Sequence, residues 1–113
     1  MDPNMLQNGI GKVCWLDVPV YDVERAKKFY TEVLDWECNI TVVADPAPGA
    51  HSMHFFRNAA GVNGAFSHMK EGLLVVNHDK DNAGALPVLP TFSVADIQET
   101  LDKAVKAGGQ VQL

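Results

Sequence analysis

Apolar and polar positions change period within the first third of the chain. Val13 to Val20 (VCWLDVPV) is short and rich in β-branched and aromatic residues, which predicts a strand ended by Pro19 and the Val-Tyr-Asp step. From Val23 the period becomes helical. Val23, Ala26, Phe29, Tyr30, Val33 and Leu34 form one apolar face, and Lys27 and Lys28 lie off it. Asp22 stands where the two periods meet and suits an N-cap, because its carboxylate can accept from the free N–H groups of the first turn. Strand and helix can therefore pack back to back.

Further along, Trp36 to Ala44 alternates and predicts a second strand, and Asp45 to Ala50 (DPAPGA) has the chemistry of a turn. His51 to Arg57 and Val62 to Met69 read as strands three and four, joined by a turn at Asn58 to Gly61. Gly64 inside strand four marks a bulge or a close approach of backbone. Lys70 to Pro87 reads as a connector, with a short extra strand at Leu73 to Val76 and a turn cluster from Asn77 to Gly84. Val88 to Val94 predicts a fifth strand. Asp96 then caps a helix whose face is Ile97, Leu101, Ala104 and Val105, and Gly108-Gly109 stops it. Gln110 to Leu113 reads as the start of another strand. Superposing Asp22 on Asp96 places Val18, Val20 and Val23 on Phe92, Val94 and Ile97, an internal repeat of a β-α unit.

At 113 residues the chain has the size of one domain. A net charge of −5 with no basic run argues against nucleic acid as a partner. No apolar stretch is long enough to span a bilayer, and Met1 to Gly11 lacks a signal-peptide core, so neither membrane nor export is expected. Met1 to Lys12 reads as a mobile lead-in. Cys14 and Cys38 suit free thiols in a cytoplasmic protein, with Cys14 buried behind the first helix.

The residues Leu16, Val18, Pro19, Val20, Asp22, Glu24, Arg25, Ala26, Phe29, Tyr30, Leu34 and Trp36 resemble the opening of a vicinal oxygen chelate module. That superfamily includes glyoxalases, bleomycin-resistance proteins and extradiol dioxygenases. The resemblance implies an α+β fold of paired βαβββ modules. Module one would span about 12–70, the connector 71–87, and a partial module two 88–113. It also implies pairing into a homodimer, a small organic ligand and, in enzymes of the family, lyase or dioxygenase chemistry on a divalent metal held in the cleft of the curved sheets.

The metal positions implied by the resemblance can be checked against this chain. Seven residues before each helix-start aspartate stand Trp15 and Leu89, neither of which binds a hard or borderline cation. No cofactor is therefore expected. An atypical metal set would use His54 and His68, which become cross-strand neighbours if strands three and four pair through a tight turn, whereas His51 and His54 should face opposite sides. Alternation places Trp15 and Asp17 on the face away from the helix. The expected cleft is lined by Trp15, Phe66 and Leu89, with Asp17, His68, Thr91 and Ser93 as polar points, which suits a small organic molecule. With such an atypical metal set the alternative reading is a glyoxalase- or dioxygenase-like metalloenzyme. A truncated module working through strand exchange between copies is a third reading. No nucleophilic triad or glycine-rich phosphate loop is readable.

Overall fold

The structure is a computed structural model and describes residues 10–58, 61–73, 81 and 88–111. Its elements are β1 (Trp15–Val20), α1 (Val23–Leu34), β2 (Val42–Ala47), β3 (Ala50–Phe56), β4 (Asn63–Met69) and α2 (Ile97–Lys106). The strands form one sheet in the order β1-β4-β3-β2. β1 runs parallel to β4, and the other two pairs are antiparallel. This is the α+β, β-α-β-β-β unit expected from the period changes.

Asp22 caps α1 as its position suggested: its Oδ1 accepts from the Arg25 N–H at 3.0 Å. The helix ends on Asp35, whose φ of 57° is left-handed and turns the chain so that Trp36 enters the core. β1 alternates: Leu16, Val18 and Val20 are half-buried while Trp15, Asp17 and Pro19 are exposed. The register sets Leu16 beside Gly64, Val18 beside Phe66 and Val20 beside His68. It sets Gly64 beside Phe56, Phe66 beside His54 and His68 beside Ser52. These residues share the face that α1 covers.

The core is a pile of rings. Tyr30 stacks on Trp36 at 4.5 Å and Trp36 on Phe56 at 4.4 Å, with Phe66 at 4.9 Å from Phe56. Cys38, Leu16, Val18, Val20, Ala26 and Leu34 close around them. Burial raises the pKa of the Tyr30 hydroxyl and, partly offset by Thr31 and Lys27, that of the Cys38 thiol. Gly64 is the close approach that its place in a strand signalled. A Cβ there would strike the Leu16 carbonyl and come within 2.6 Å of the Phe56 ring.

Several expectations need correction. Strand two begins later, at Val42, and Glu37 makes only an isolated bridge to Arg57. The turn expected over Asp45 to Ala50 is narrower, at Pro48-Gly49 between the paired residues Ala47 and Ala50, while Asp45, at φ 49°, lies where the β2–β3 register slips. Val88 to Val94 is not a strand. The segment does not pair with the outer edge of β1, which is open among the described residues; instead Phe92 sets its ring edge-on to Trp36 at 5.6 Å. Cys14 is exposed, because β1 starts one residue after it and α1 packs on Leu16 to Val20. Most of the extra strand at 73–76 and of the 77–84 turn cluster, nearly all of the lead-in and the last two residues lie outside the described residues.

Asp96 caps α2, accepting from the Glu99 N–H at 2.9 Å, so the repeated cap is real. Its helix has a different fate from α1. It touches α1 through its C-terminal end, where the Arg25 guanidinium donates to the Gly108 carbonyl at 3.3 Å and Gly109 lies close to Phe29. Its apolar face is uncovered, with Ile97 71% and Val105 54% exposed.

Candidate functional site

The sheet has one face covered by α1 and one left open. On the open face, the register places Ala65 between Asp17 of β1 and Phe55 of β3, and Ser67 between Pro19 and Met53. Trp15 stands beside them. Its Nε1 donates to the Asp17 Oδ1 at 2.8 Å, and its ring meets Phe55 edge-on at 5.6 Å and 89°. The two contacts hold the indole although it is 43% exposed. Ala65 is fully buried and its small side chain leaves the space above it to its larger neighbours. The result is an aromatic corner with one carboxylate.

Two of the seven residues expected to line the cleft, Trp15 and Asp17, meet there. The other five do not join them. Phe66 is 0% exposed and belongs to the core, because its register with Val18 puts it under α1. His68, two residues on, lies on that same covered side. Leu89 and Thr91 are exposed, as is Ser93, on a segment without strand pairing. Phe55 and Met53 take their place on the open face. Strand reading found both residues, but only the pairing register shows which face they share.

The open face also tests the metal expected of the resembled family. Trp15 occupies the strand-one position, and β4 presents Asn63, Ala65 and Ser67 there. The Asn63 side-chain oxygen is used by the Asn58 N–H at 3.0 Å, and Asp17 already accepts from an indole. These residues do not fit a divalent ion, since among the described residues no imidazole or thiolate faces the site, and Glu37, bridged to Arg57 at the end of β3, is in an ion pair with it at 3.7 Å. Among the described residues no three His, Cys, Asp or Glu side chains converge in a metal-holding group.

The histidines gather elsewhere. His54 lies opposite Phe66, diagonal to His68 rather than directly across from it. Its Nε2 is 2.7 Å from the Ser52 Oγ and its Nδ1 is buried with no partner among the described residues. Burial lowers its pKa, with Lys27 and His68 adding to the effect and Glu24 opposing it. The expected His54–His68 pair is thus displaced by another. The β3–β4 register slips between Ala50 and Ser52, so His51 is the extra residue, and its ring comes within 5.3 Å of His68. The two rings line a cavity of about 410 Å³ together with Tyr21, Met69, Glu71 and Gly72. A second cavity, about 360 Å³, runs between β1, α1 and the end of α2, past Tyr21, Arg25, Phe29 and Gly109.

The sequence model of the Glyoxalase/Bleomycin resistance protein/Dioxygenase superfamily matches residues 12–113. Among curated proteins, "Putative glyoxylase CFP32" of Mycobacterium bovis and its namesake of Mycobacterium tuberculosis are each 30% identical over 104 residues. Each alignment covers 88% of this chain and 34% of the relative, so the chain spans about a third of the relatives' length. Among the described residues no helix is long and apolar enough to cross a membrane.

Proposed function

Since the chain belongs to the Glyoxalase/Bleomycin resistance protein/Dioxygenase superfamily, we propose that it binds a small organic molecule on the open face of its sheet, without a metal at that face. The observation that carries this reading is the Trp15–Phe55 corner with Asp17 at its edge. An exposed indole fixed by a hydrogen bond is a ready stacking surface, and Phe55 walls one side of it. The Asp17 carboxylate adds negative charge beside the indole, which favours planar ligands carrying a cation. Among the described residues this face carries no imidazole or thiolate, so in this reading the ligand is held by stacking, burial and charge.

A screen of planar cationic aromatics by calorimetry tests this. Trp15→Ala should weaken a binder by about 1–3 kcal/mol, and Asp17→Asn should weaken cationic binders more than neutral ones. A library with no saturable binder, or a binder indifferent to Trp15→Ala, overturns the reading.

The same reading has the protein act as a homodimer in the cytoplasm. The outer edge of β1 carries no strand among the described residues, and the Ile97–Leu101–Val105 face of α2 is open to a second copy. Sedimentation at micromolar concentration checks it, and a monomer there refutes the dimer.

A further inference from the structure

We propose that His51 and His68 form a two-imidazole site for a divalent first-row transition ion such as zinc, nickel or copper. The site lies at the end of β3 and β4, on the α1 side of the sheet, and does not rest on the ligand reading of the open face. His51 reaches it only because of the bulge. In regular pairing a residue next to Ser52 would point to the other face, but the slip between Ala50 and Ser52 brings its ring to that of His68.

The spacing fits chelation. With metal–nitrogen bonds of about 2.0–2.1 Å and a tetrahedral angle, two imidazole ring centres sharing one ion stand about 5 Å apart. Those of His51 and His68 are 5.3 Å apart and inclined at 56°, so the rings are not stacked face to face. Imidazole suits these borderline ions. The cavity in front of the rings has about 410 Å³, room for an ion with its waters, and Glu71 on its lining contributes negative charge to offset that of the ion. His51 is exposed and His68 half-buried, so an ion has access and small rotations of the rings can complete the geometry.

His54 is the competing partner and is the poorer one. Its Nε2 is engaged with Ser52 and its Nδ1 is buried. No third His, Cys, Asp or Glu among the described residues converges with the pair, so water fills the remaining positions and binding is reversible.

The test is calorimetric titration of the full chain, stripped with EDTA and desalted, with zinc chloride and nickel chloride in a non-chelating buffer. We expect one ion per chain. His51→Gln and His68→Gln should each raise the Kd at least tenfold, and His54→Gln should leave it within twofold. Circular dichroism establishes that each variant is folded. Should His68→Gln fail to fold, His51→Gln, on an exposed bulge, decides alone. No saturable binding, or binding that survives His51→Gln unchanged, overturns the proposal.

Discussion

Helices α1 and α2 start on one device and finish in opposite surroundings. Asp22 and Asp96 each accept from the N–H three residues on, and each helix carries an apolar stripe. The stripe of α1 lies on a four-stranded sheet and helps enclose the Trp36, Phe56 and Phe66 rings. The stripe of α2 meets only the edge of α1 near Gly108 and Gly109, and none of its residues is buried. Period and cap are local properties and make a helix in either place. Burial is a property of the partner surface, and the described chain supplies that surface once.

The widest separation between the two regions should appear on truncating their apolar residues. Phe66→Ala should cost about 3–5 kcal/mol in urea unfolding, and Gly64→Ala should be comparably severe, because its Cβ has nowhere to go between the Leu16 carbonyl and Phe56. Leu101→Ala in α2 should stay within about 0.5 kcal/mol for the isolated chain. Equal losses at Phe66 and Leu101 would erase the contrast. The caps give a smaller, sharper version. Asp22→Ala should lower global stability by about 1 kcal/mol, whereas Asp96→Ala should leave the unfolding midpoint in place and speed amide exchange over residues 97–106.

The smallest effect is a pH dependence confined to the α1 side. His54 has its pKa lowered in the fold, chiefly by burial, so the unfolded chain binds the proton more readily. Its neutral form is accommodated at full stability above the ordinary value of about 6.5. Stability should fall as pH drops from there through the lowered folded-state value. His54→Gln should flatten that part of a urea-midpoint profile, and an unchanged slope would remove His54 as its source.

The element order was legible because alternation, helical period and two aspartate caps are written in neighbouring residues. Facing was legible only within β1, where the apolar stripe of the next helix shows which side is covered. Across strands it was not. Alternation alone puts Phe66 and His68 in the cleft, whereas pairing with Val18 and Val20 places them on the covered side, and a one-residue difference in register decides such a question. Regular alternation puts His51 on the opposite side from His54, because it has no place for an extra residue at Ala50–Ser52. The Asp45-Pro46 pair carries turn chemistry but serves a left-handed kink inside the hairpin. Leu89 and Thr91 have strand composition but lie on a segment that pairs with no described strand.

The parallel seating of β1 against β4 has a consequence for the order of events during folding. α1, β2 and β3 all lie between these two strands in the chain, whereas β2, β3 and β4 follow one another as antiparallel neighbours. Closing a long loop loses chain entropy before any contact rewards it, and the successive hairpins close short ones. The meander therefore assembles ahead of β1, and the notch at Gly64, into which the Leu16 carbonyl fits, is prepared before its occupant arrives. Kinetic φ-values should accordingly be near zero for Val18→Ala and clearly higher for Phe55→Ala, and the reverse ranking would mean that β1 nucleates the sheet it borders.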